Sequence, residues 1–482
     1  MKKVFIIVSF FGGFLLNSCS ADFLNTYPSN NIVIEKAILG VKEAQYAING
    51  VYDAMQNSGY YGGYVQIYGD VRADDIQSYT ITRTAYNMYI FDHQSFAANN
   101  QGLWTSPFIV IRAACRIIDA IDNVVTDGTT AEKNHIKGHA IALRAMAHFD
   151  LVKTHGYPYA KDNGASWGAP IVDHVLDTDE YPIRSTVKET YDFIISELER
   201  AVPLMNTSKN GGQMNAYGAR ALLARAYLYS ENNRKAYDVA KALIEELKQN
   251  RQYVLYTYSN YIASFSRANR VGSESLLELE NSVSDNQSWD CLAHMMHWEG
   301  YRAMVVTKDF VDFMSQDPVD IRNGMYLLHN DAGIMKASLE KYPGQSTTVS
   351  SQDNNYPLIR LSEVYLIAAE AGVKLNGAER SEALAYLNEI VQRGNPANIV
   401  NPVDFTLDRV LEERRKELIG EGHRFYDMLR NGKTIIRKTG GYHLDNAPMS
   451  IDWNFNRIVL PITSSLFRFN PELQQNPGYT RE

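Results

Sequence analysis

Cysteine is scarce in this chain of 482 residues, and that scarcity excludes a fold held together by disulfides. The three cysteines, Cys19, Cys115 and Cys291, lie far apart in the sequence. Long runs of one charge are also missing, since 47 basic and 55 acidic residues are interspersed and give a net charge of −8. We therefore expect core packing to provide the stability, and we expect no nucleic-acid partner.

Sequence patterns of catalytic sites are missing as well. There is no glycine-rich phosphate loop and no nucleophile elbow, and His135 and His139 lack the intervening Glu of a zinc-protease helix. Asp and Glu are scattered, and nothing in their spacing sets the carboxylate separation that glycoside hydrolysis needs. The sequence predicts a protein that is not an enzyme and has no cofactor.

One group of residues has side chains and a spacing that suggest a metal site. Cys291, His294 and His297 recur every three residues, which could place them near one helix face. Six residues rotate an ideal helix by about 240°, however, so the outer two point apart. The neighbouring Trp289 and Trp298 favour a hydrophobic contact surface, and we predict no metal here. The sequence does not decide whether calcium binds, because calcium ligands in loops have no fixed spacing outside motifs such as the EF-hand.

The first nineteen residues have the pattern of an export signal. Two lysines at residues 2–3 precede an apolar run over residues 4–16, which is short for a membrane span and typical of a cleaved signal peptide. The LNSC sequence at residues 16–19 resembles a bacterial lipobox, in which the cysteine is acylated. We predict a signal peptide over residues 1–18 and lipidation at Cys19. In the alternative, the protein is secreted and the cysteine is incidental.

Helical periodicity dominates the rest of the chain. Apolar residues recur at spacings of three and four, and Thr186 with Glu189 forms a capping box that opens one helix. Turn residues at 230–233 and 376–377 separate paired helices of about 34 residues, the length of tetratricopeptide-type repeats. These patterns predict a mainly α fold. The predicted helix pairs lie mainly within residues 33–57, 103–155, 186–249 and 358–393.

The remaining segments are irregular. Residues 19–32 contain turn formers and one Pro, and we interpret them as the lipidated tether of a single domain over residues 33–482. Two stretches, at about residues 58–103 and 250–357, are dense in Gly, Asn, Ser and aromatic residues. Loops carried on rigid helices often hold binding residues. We therefore expect these two stretches to form the ligand-binding side.

The charged segment ERRKELIGEGHRFYDMLR at residues 413–430 closely resembles the signature of the SusD/RagB family of outer-membrane lipoproteins. We predict a structural role for it, in which carboxylates and guanidiniums pair with each other or with neighbouring elements. Gly420 and Gly422 are expected to end its helix and reverse the chain. Further family matches are LW, LRA with FDL, RST with YD, LLAR, YPLIRLSEVYL with AEA, and NPGY, at residues 103–104, 143–151, 184–192, 222–225, 356–371 and 476–479.

The resemblance implies one α-rich domain, with four tetratricopeptide-like helix pairs as the scaffold and an irregular, ligand-binding side opposite. It implies a SusC-type TonB-dependent barrel as partner, and a lipid-anchored location on the surface of a Gram-negative outer membrane. The implied function is non-catalytic capture of a glycan and its delivery to the barrel. Alternatives are a peptide-binding, RagB-like member of the same uptake system, a surface glycoside hydrolase, and a purely structural repeat scaffold.

Aromatic residues in the irregular stretches are the candidates for a glycan site. Sugar rings present flat C–H faces that stack on aromatic rings, and their hydroxyls need multidentate polar partners. We predict Tyr79, Trp289 and Trp298 as stacking residues, and Arg72 and Asp75 as partners of sugar hydroxyls. The tryptophan of the LW match at residues 103–104 is expected in a helix core instead.

Overall fold

The computed structural model of the protein describes residues 37–79, 81, 84–94, 101–265, 271–344, 351–440 and 443–481. The predicted signal peptide, the predicted lipidation site Cys19 and the predicted tether lie outside these residues. None of the helices in the described ranges is both long and apolar enough to span a bilayer.

Helices make up most of the regular structure, and the strands are short. In the described ranges the α-helices are α1 (Val41–Met55), α2 (Tyr64–Asp70), α3 (Thr84–Tyr89), α4 (Gly102–Asn123), α5 (Thr130–His155), α6 (Tyr159–Asp162), α7 (Val187–Ala201), α8 (Ala216–Tyr229), α9 (Asn233–Asn250), α10 (Leu292–Met296), α11 (Lys308–Met314), α12 (Leu361–Leu375), α13 (Glu379–Gly394), α14 (Leu407–Glu417) and α15 (Arg424–Arg430). The strands are β1 (Ile76–Ser78), β2 (Trp167–Pro170), β3 (Arg184–Thr186), β4 (Ser275–Leu279), β5 (Met304–Val306), β6 (Tyr326–Asp331), β7 (Ile334–Leu339), β8 (Tyr356–Arg360), β9 (Ile435–Ile436) and β10 (Ser450–Ile451).

Local sequence signals set the ends of the long helices. Thr129 opens α5 and Thr186 opens α7, each with a capping box completed by the Glu three residues later. The side chain of Asn232 caps α9 after the short turn that follows α8. α12 ends at Asn376, whose φ of 54° is the left-handed conformation common after helices. The capping box predicted at Thr186 is confirmed.

The long helices pack as neighbouring pairs. α4 packs against α1 and α5, and α5 in turn packs against α7. α8 packs against α9, while α12 lies against both α9 and α13. Apolar residues at the predicted spacing, such as Ile136, Leu143 and Leu222, are buried in the resulting core. The arrangement confirms the predicted mainly α fold of paired helices.

A four-stranded antiparallel sheet lies in the stretches predicted to be irregular. Its strand order is β1–β5–β7–β6, so it joins two segments that are distant in sequence. β6 and β7 form a hairpin whose turn residues, Ala332 and Gly333, both have positive φ, as a tight two-residue turn requires. The sheet packs against the short helices α3, α10 and α11. The ligand-side stretches therefore contain more regular structure than expected.

Candidate ligand-binding site

An aromatic cluster forms where three distant segments meet. Tyr79 follows β1, Trp298 follows α10, and His329 lies on β6. The rings of Trp298 and His329 are stacked in parallel with centroids 4.0 Å apart, and the Tyr79 ring lies 6.1 Å from Trp298 at an angle of 52°. All three side chains are half-buried. The cluster is therefore anchored to the fold and still reaches solvent.

The sheet explains why these rings meet. Tyr79 continues β1, and its backbone N–H donates to the carbonyl of Ala303 beside β5 at 2.9 Å. On the hairpin, Lys336 is the cross-strand partner of His329. Directly paired residues, and residues two positions apart on a strand, share one face of a sheet. His329, Asp331 and Lys336 consequently lie on the same face.

Charged groups border the aromatic rings. The hydroxyl of Tyr79 donates to the carboxylate of Asp331, and this hydrogen bond is the main cause of the raised pKa of Tyr79. The guanidinium carbon of Arg302 lies 4.6 Å from the centroid of the Trp298 ring, and Nζ of Lys336 lies 5.9 Å from that of Tyr79. The site thus combines flat apolar rings with acidic and basic hydrogen-bonding groups.

A more exposed tryptophan lies on the same segment. Trp289 is 55% exposed, and its ring meets the ring of His294 edge to face with centroids 4.7 Å apart. His294 makes a second edge-to-face contact with Tyr301, at 4.8 Å. Because Tyr301 is three residues from Trp298, these contacts connect Trp289 to the segment that carries the aromatic cluster. The three predicted stacking residues therefore lie in one region of the molecule.

Sequence reasoning missed four residues of this site, His329, Arg302, Asp331 and Lys336. The string HNDAGI at residues 329–334 carries a usable signal, because turn formers sit between two segments that become paired strands. That signal predicts a hairpin. It does not predict which side chains of the hairpin face Tyr79, since this depends on the register of the whole sheet.

The structure contradicts the prediction that Arg72 binds ligand. Its side chain is fully buried, and its guanidinium carbon lies 3.7 and 3.6 Å from the ring centroids of Tyr68 and Phe425. It donates a hydrogen bond to the carbonyl of Ile458 at 2.5 Å, and burial lowers its pKa. A guanidinium packed among core rings cannot reach a ligand at the surface, so Arg72 has a structural role.

The prediction for Asp75 is wrong for a related reason. The side chain is 3% exposed, and its carboxylate accepts a hydrogen bond from Nε of Arg415 at 2.6 Å. The neighbouring Asp74 accepts two hydrogen bonds from Arg424, both at 2.8 Å. Burial is the main cause of the raised pKa of Asp75. Both carboxylates therefore hold the signature segment and are not available to sugar hydroxyls.

The signature segment at residues 413–430 contributes to a buried network of ion pairs. Arg360 lies 2.8 Å from both Glu274 and Glu417, and it also contacts Glu421. These four side chains are at most 4% exposed. Buried ions are tolerated when each has a partner of opposite charge. This supports the predicted structural role, with the difference that the charges lie in the core.

Glycines allow the signature segment to pack closely against α2. After α14, Gly420 and Gly422 have φ of 78° and 82°, the left-handed region that favours glycine. A Cβ atom on Gly69 would lie 2.0 Å from the carbonyl oxygen of Gly422. The close approach of the two backbones holds α2 against the signature, and β1 follows α2 directly.

Two other residues singled out from the sequence are buried. Trp104 is 5% exposed and its ring lies 5.2 Å from Phe108 and 4.9 Å from His155, which confirms its predicted place in the core. Sγ of Cys291 accepts a hydrogen bond from the backbone N–H of His294 at the start of α10. In the part of the chain that the structure describes, no three His, Cys, Asp or Glu residues are grouped to hold a metal.

Known proteins share this sequence pattern and this architecture. A model described as the SusD family matches residues 322–479, and a model described as starch-binding associating with the outer membrane matches residues 22–229. A SusD superfamily protein of known crystal structure from Bacteroides vulgatus is 47% identical, with a TM-score of 0.89. The match covers 92% of this chain and 99% of that one. The chain belongs to the SusD family.

Further matches have lower sequence identity. A SusD-like protein from Bacteroides ovatus is 24% identical over a match that covers 86% of this chain and 80% of that protein. Surface glycan-binding protein A from Bacteroides thetaiotaomicron, solved in complex with laminarihexaose, is 22% identical with a TM-score of 0.71. That match covers 90% of this chain and 99% of the other. At such identities the likeness concerns the fold alone.

Proposed function

We propose that this SusD-family protein captures glycans at the cell surface without cleaving them. The observation that carries the proposal is the aromatic cluster of Tyr79, Trp298 and His329, bordered by Asp331 and Arg302. Flat rings stack on the C–H faces of sugars, while carboxylates and guanidiniums bind their hydroxyls. The starch-binding description of the family model, and the laminarihexaose complex of the related protein, support a glycan as ligand.

Within the site, the rings have different amounts of free surface. His329 covers one face of Trp298 at 4.0 Å, and the Arg302 guanidinium lies 4.6 Å from the ring centroid. A sugar therefore has to contact the exposed part of the indole that these two side chains leave, together with Tyr79. Trp289, with more than half of its surface exposed, offers a second stacking ring for a further sugar unit. Asp331 and Arg302 are positioned at the cluster to bind hydroxyls. A glycan of several units fits such a surface better than a single sugar.

The proposal includes a lipid anchor at Cys19 and delivery of the glycan to a SusC-type TonB-dependent barrel. The N-terminal signal and its LNSC sequence support the anchor, and the family model's description supports association with the outer membrane. A bacterial lipid anchor holds a protein at its membrane stably, because each buried CH₂ group contributes about 0.8 kcal/mol. Tethering also raises the concentration of the protein near its transporter. We assign the paired helices to the barrel-facing side.

Affinity electrophoresis followed by isothermal titration against a panel of glycans tests the site. Trp298→Ala is expected to weaken binding of the cognate glycan by roughly tenfold, because stacking on an aromatic ring contributes about 1 kcal/mol or more. Trp167→Ala is the matched control, since Trp167 lies on β2 and is 42% exposed. It should bind the glycan as the wild type does.

Three results would count against the proposal. Unchanged affinity in Trp298→Ala would remove the site assignment. Recovery of peptides, with no glycan bound, would favour the peptide-binding alternative. Release of shorter oligosaccharides by the purified protein alone would identify a hydrolase.

A further inference from the structure

A groove on the paired-helix scaffold has the composition of a ligand pocket. It lies along α4, opposite residues 172–176 and Leu466, and has a volume of about 370 Å³. Ligand pockets commonly have volumes of roughly 300–1,000 Å³, apolar walls and a few polar groups that fix orientation. Trp104 and Phe108 contribute the aromatic part of the lining. None of the residues of the aromatic cluster lines this groove.

The groove exposes apolar side chains to solvent. Ile109 is 44% exposed and Val175 is 41% exposed, and both line the groove. Leu176 and Leu466 add further apolar surface beside them. Burial of apolar surface is favourable by about 25 cal/mol for each Å² removed from water. An occupant with an aliphatic body would therefore gain free energy from these walls.

Two arginines supply cationic groups to the groove, which the polar side chains of Thr105 and His174 also line. Arg112 and Arg116 both line it and are one helical turn apart on α4, so their side chains lie on the same side of the helix. In the described part of the chain, no carboxylate forms an ion pair with either of them. On the facing segment, Asp173 and Glu180 are engaged by His174, at 2.7 and 3.0 Å.

We propose that this groove binds a small amphipathic anion, an aliphatic chain that lies along Phe108, Ile109 and Val175 and ends in a carboxylate held by Arg112 and Arg116. The charges are complementary, because guanidiniums bind carboxylates with paired hydrogen bonds. A neutral chain would gain no charge-assisted hydrogen bonds from the two guanidiniums. A hydrophilic acid would leave the apolar walls exposed. The site is separate from the proposed glycan site and does not depend on it.

Isothermal titration of the purified protein with sodium decanoate, below its micellar concentration, tests this site. One decanoate is expected to bind per chain, and decanol, the uncharged match, at least about tenfold more weakly, because charge-assisted hydrogen bonds are lost. The double variant Arg112→Gln/Arg116→Gln should weaken decanoate binding by at least about tenfold and leave decanol binding unchanged. Arg200→Gln, on α7 and paired with Glu197, is the matched control.

The apolar walls have a separate test. Ile109→Glu places a negative charge in the groove and is expected to abolish decanoate binding, while circular dichroism and glycan binding stay unchanged. Equal affinity for decanoate and decanol, or decanoate affinity that survives the double arginine variant, would overturn the proposal. So would a concentration-dependent dimer that Ile109→Glu dissociates in the absence of any decanoate binding, because the groove would then be an interface between copies of the chain.

Discussion

The buried ion-pair network of the signature segment and the aromatic cluster contain similar kinds of residue. The network is buried in the core, whereas the cluster reaches solvent. In the network, Arg360 is fully buried between Glu274 and two glutamates of the signature segment. At the aromatic cluster, Arg302 and Asp331 are half-buried and border rings that reach solvent. Both regions combine charge with aromatic side chains. They differ in whether other residues of the protein supply all the ionic and hydrogen-bonding partners of the charged side chains.

That difference separates stability from binding. A buried charge requires partners within the fold, because its desolvation is expensive. The charged signature is dense in such groups, and its pairs join α14 to β8 and α15 to α12. A charge at the surface can instead bind a ligand. In this protein, the segment with the most recognisable sequence stabilises the fold, and a segment without any motif carries the candidate site.

The largest effect is expected from breaking the network at its centre. Glu274 and Glu417 share two arginines, Arg360 and Arg393. Arg360→Ala removes one of the two, and loss of one member of a buried ion pair destabilises by about 3–5 kcal/mol. Urea denaturation monitored by circular dichroism measures the change in the free energy of unfolding. A loss below about 1 kcal/mol would show that the network contributes little, and the contrast with the surface site would fail.

The network extends to Glu363, whose buried carboxylate is paired with Arg225 and lies 4.0 Å from His423 of the signature segment. It should also make stability sensitive to acid. Burial alone would raise the pKa of Glu363, but Arg225 and His423 lower it to about 2. The usual value for an unfolded chain is about 4.3, so this carboxyl adds up to about 3 kcal/mol of stability above that pH. The contribution is lost as the pH falls from about 4.3 towards 2.

Glu363→Gln removes this titration. We expect the variant to be less stable than the wild type at neutral pH and to lose less stability between about pH 5 and pH 3. Urea midpoints at several pH values measure both effects. Parallel pH profiles for the two proteins would contradict the assignment of Glu363 as an acid-sensitive member of the network.

At the surface, a change of charge should alter binding and leave stability almost unchanged. Asp331→Asn keeps the shape of the side chain and removes the charge that accepts the hydrogen bond of Tyr79. We expect glycan affinity to fall by roughly tenfold, since hydrogen bonds to charged groups contribute about 1.5–3 kcal/mol. Isothermal titration measures the affinity, and Asp238→Asn on α9, with a side chain 55% exposed, is the control. A large loss of stability in Asp331→Asn would show that Asp331 stabilises the fold, as the buried charges of the network do.

The smallest effect is expected for an ion pair on the helix surface. Arg234 lies 2.7 Å from Glu379, and their side chains are 49% and 23% exposed. Such pairs contribute about 0–1 kcal/mol because water solvates both ions. Arg234→Ala should therefore change the urea midpoint far less than Arg360→Ala does. Similar losses in the two variants would remove the distinction between buried and exposed pairs.

Much of the scaffold was predictable because its determinants are local. The capping box at Thr186 and the periodic apolar residues act within one helix, so the sequence is enough to recognise them. Trp104 was placed in the core because it lies in a family match on the helical scaffold, and it is buried there. The predictions for Arg72 and Asp75 were wrong because the residues that cover these side chains come from remote segments of the chain. Phe425 and Arg415 cover them, and no local pattern shows this contact.

The helix pairs, the turn residues and the kinds of side chain in the stretches at about residues 58–103 and 250–357 follow from the amino-acid sequence. Short-range hydrogen bonding and apolar periodicity are sufficient for the helices and turns. Which charges are buried and which rings meet depends on the tertiary structure. Tyr79, Trp298 and His329 come together through the register of a four-stranded sheet, and that register depends on pairing between distant segments. The same packing buried Arg72 and left Trp289 exposed, because exposure depends on what covers a residue.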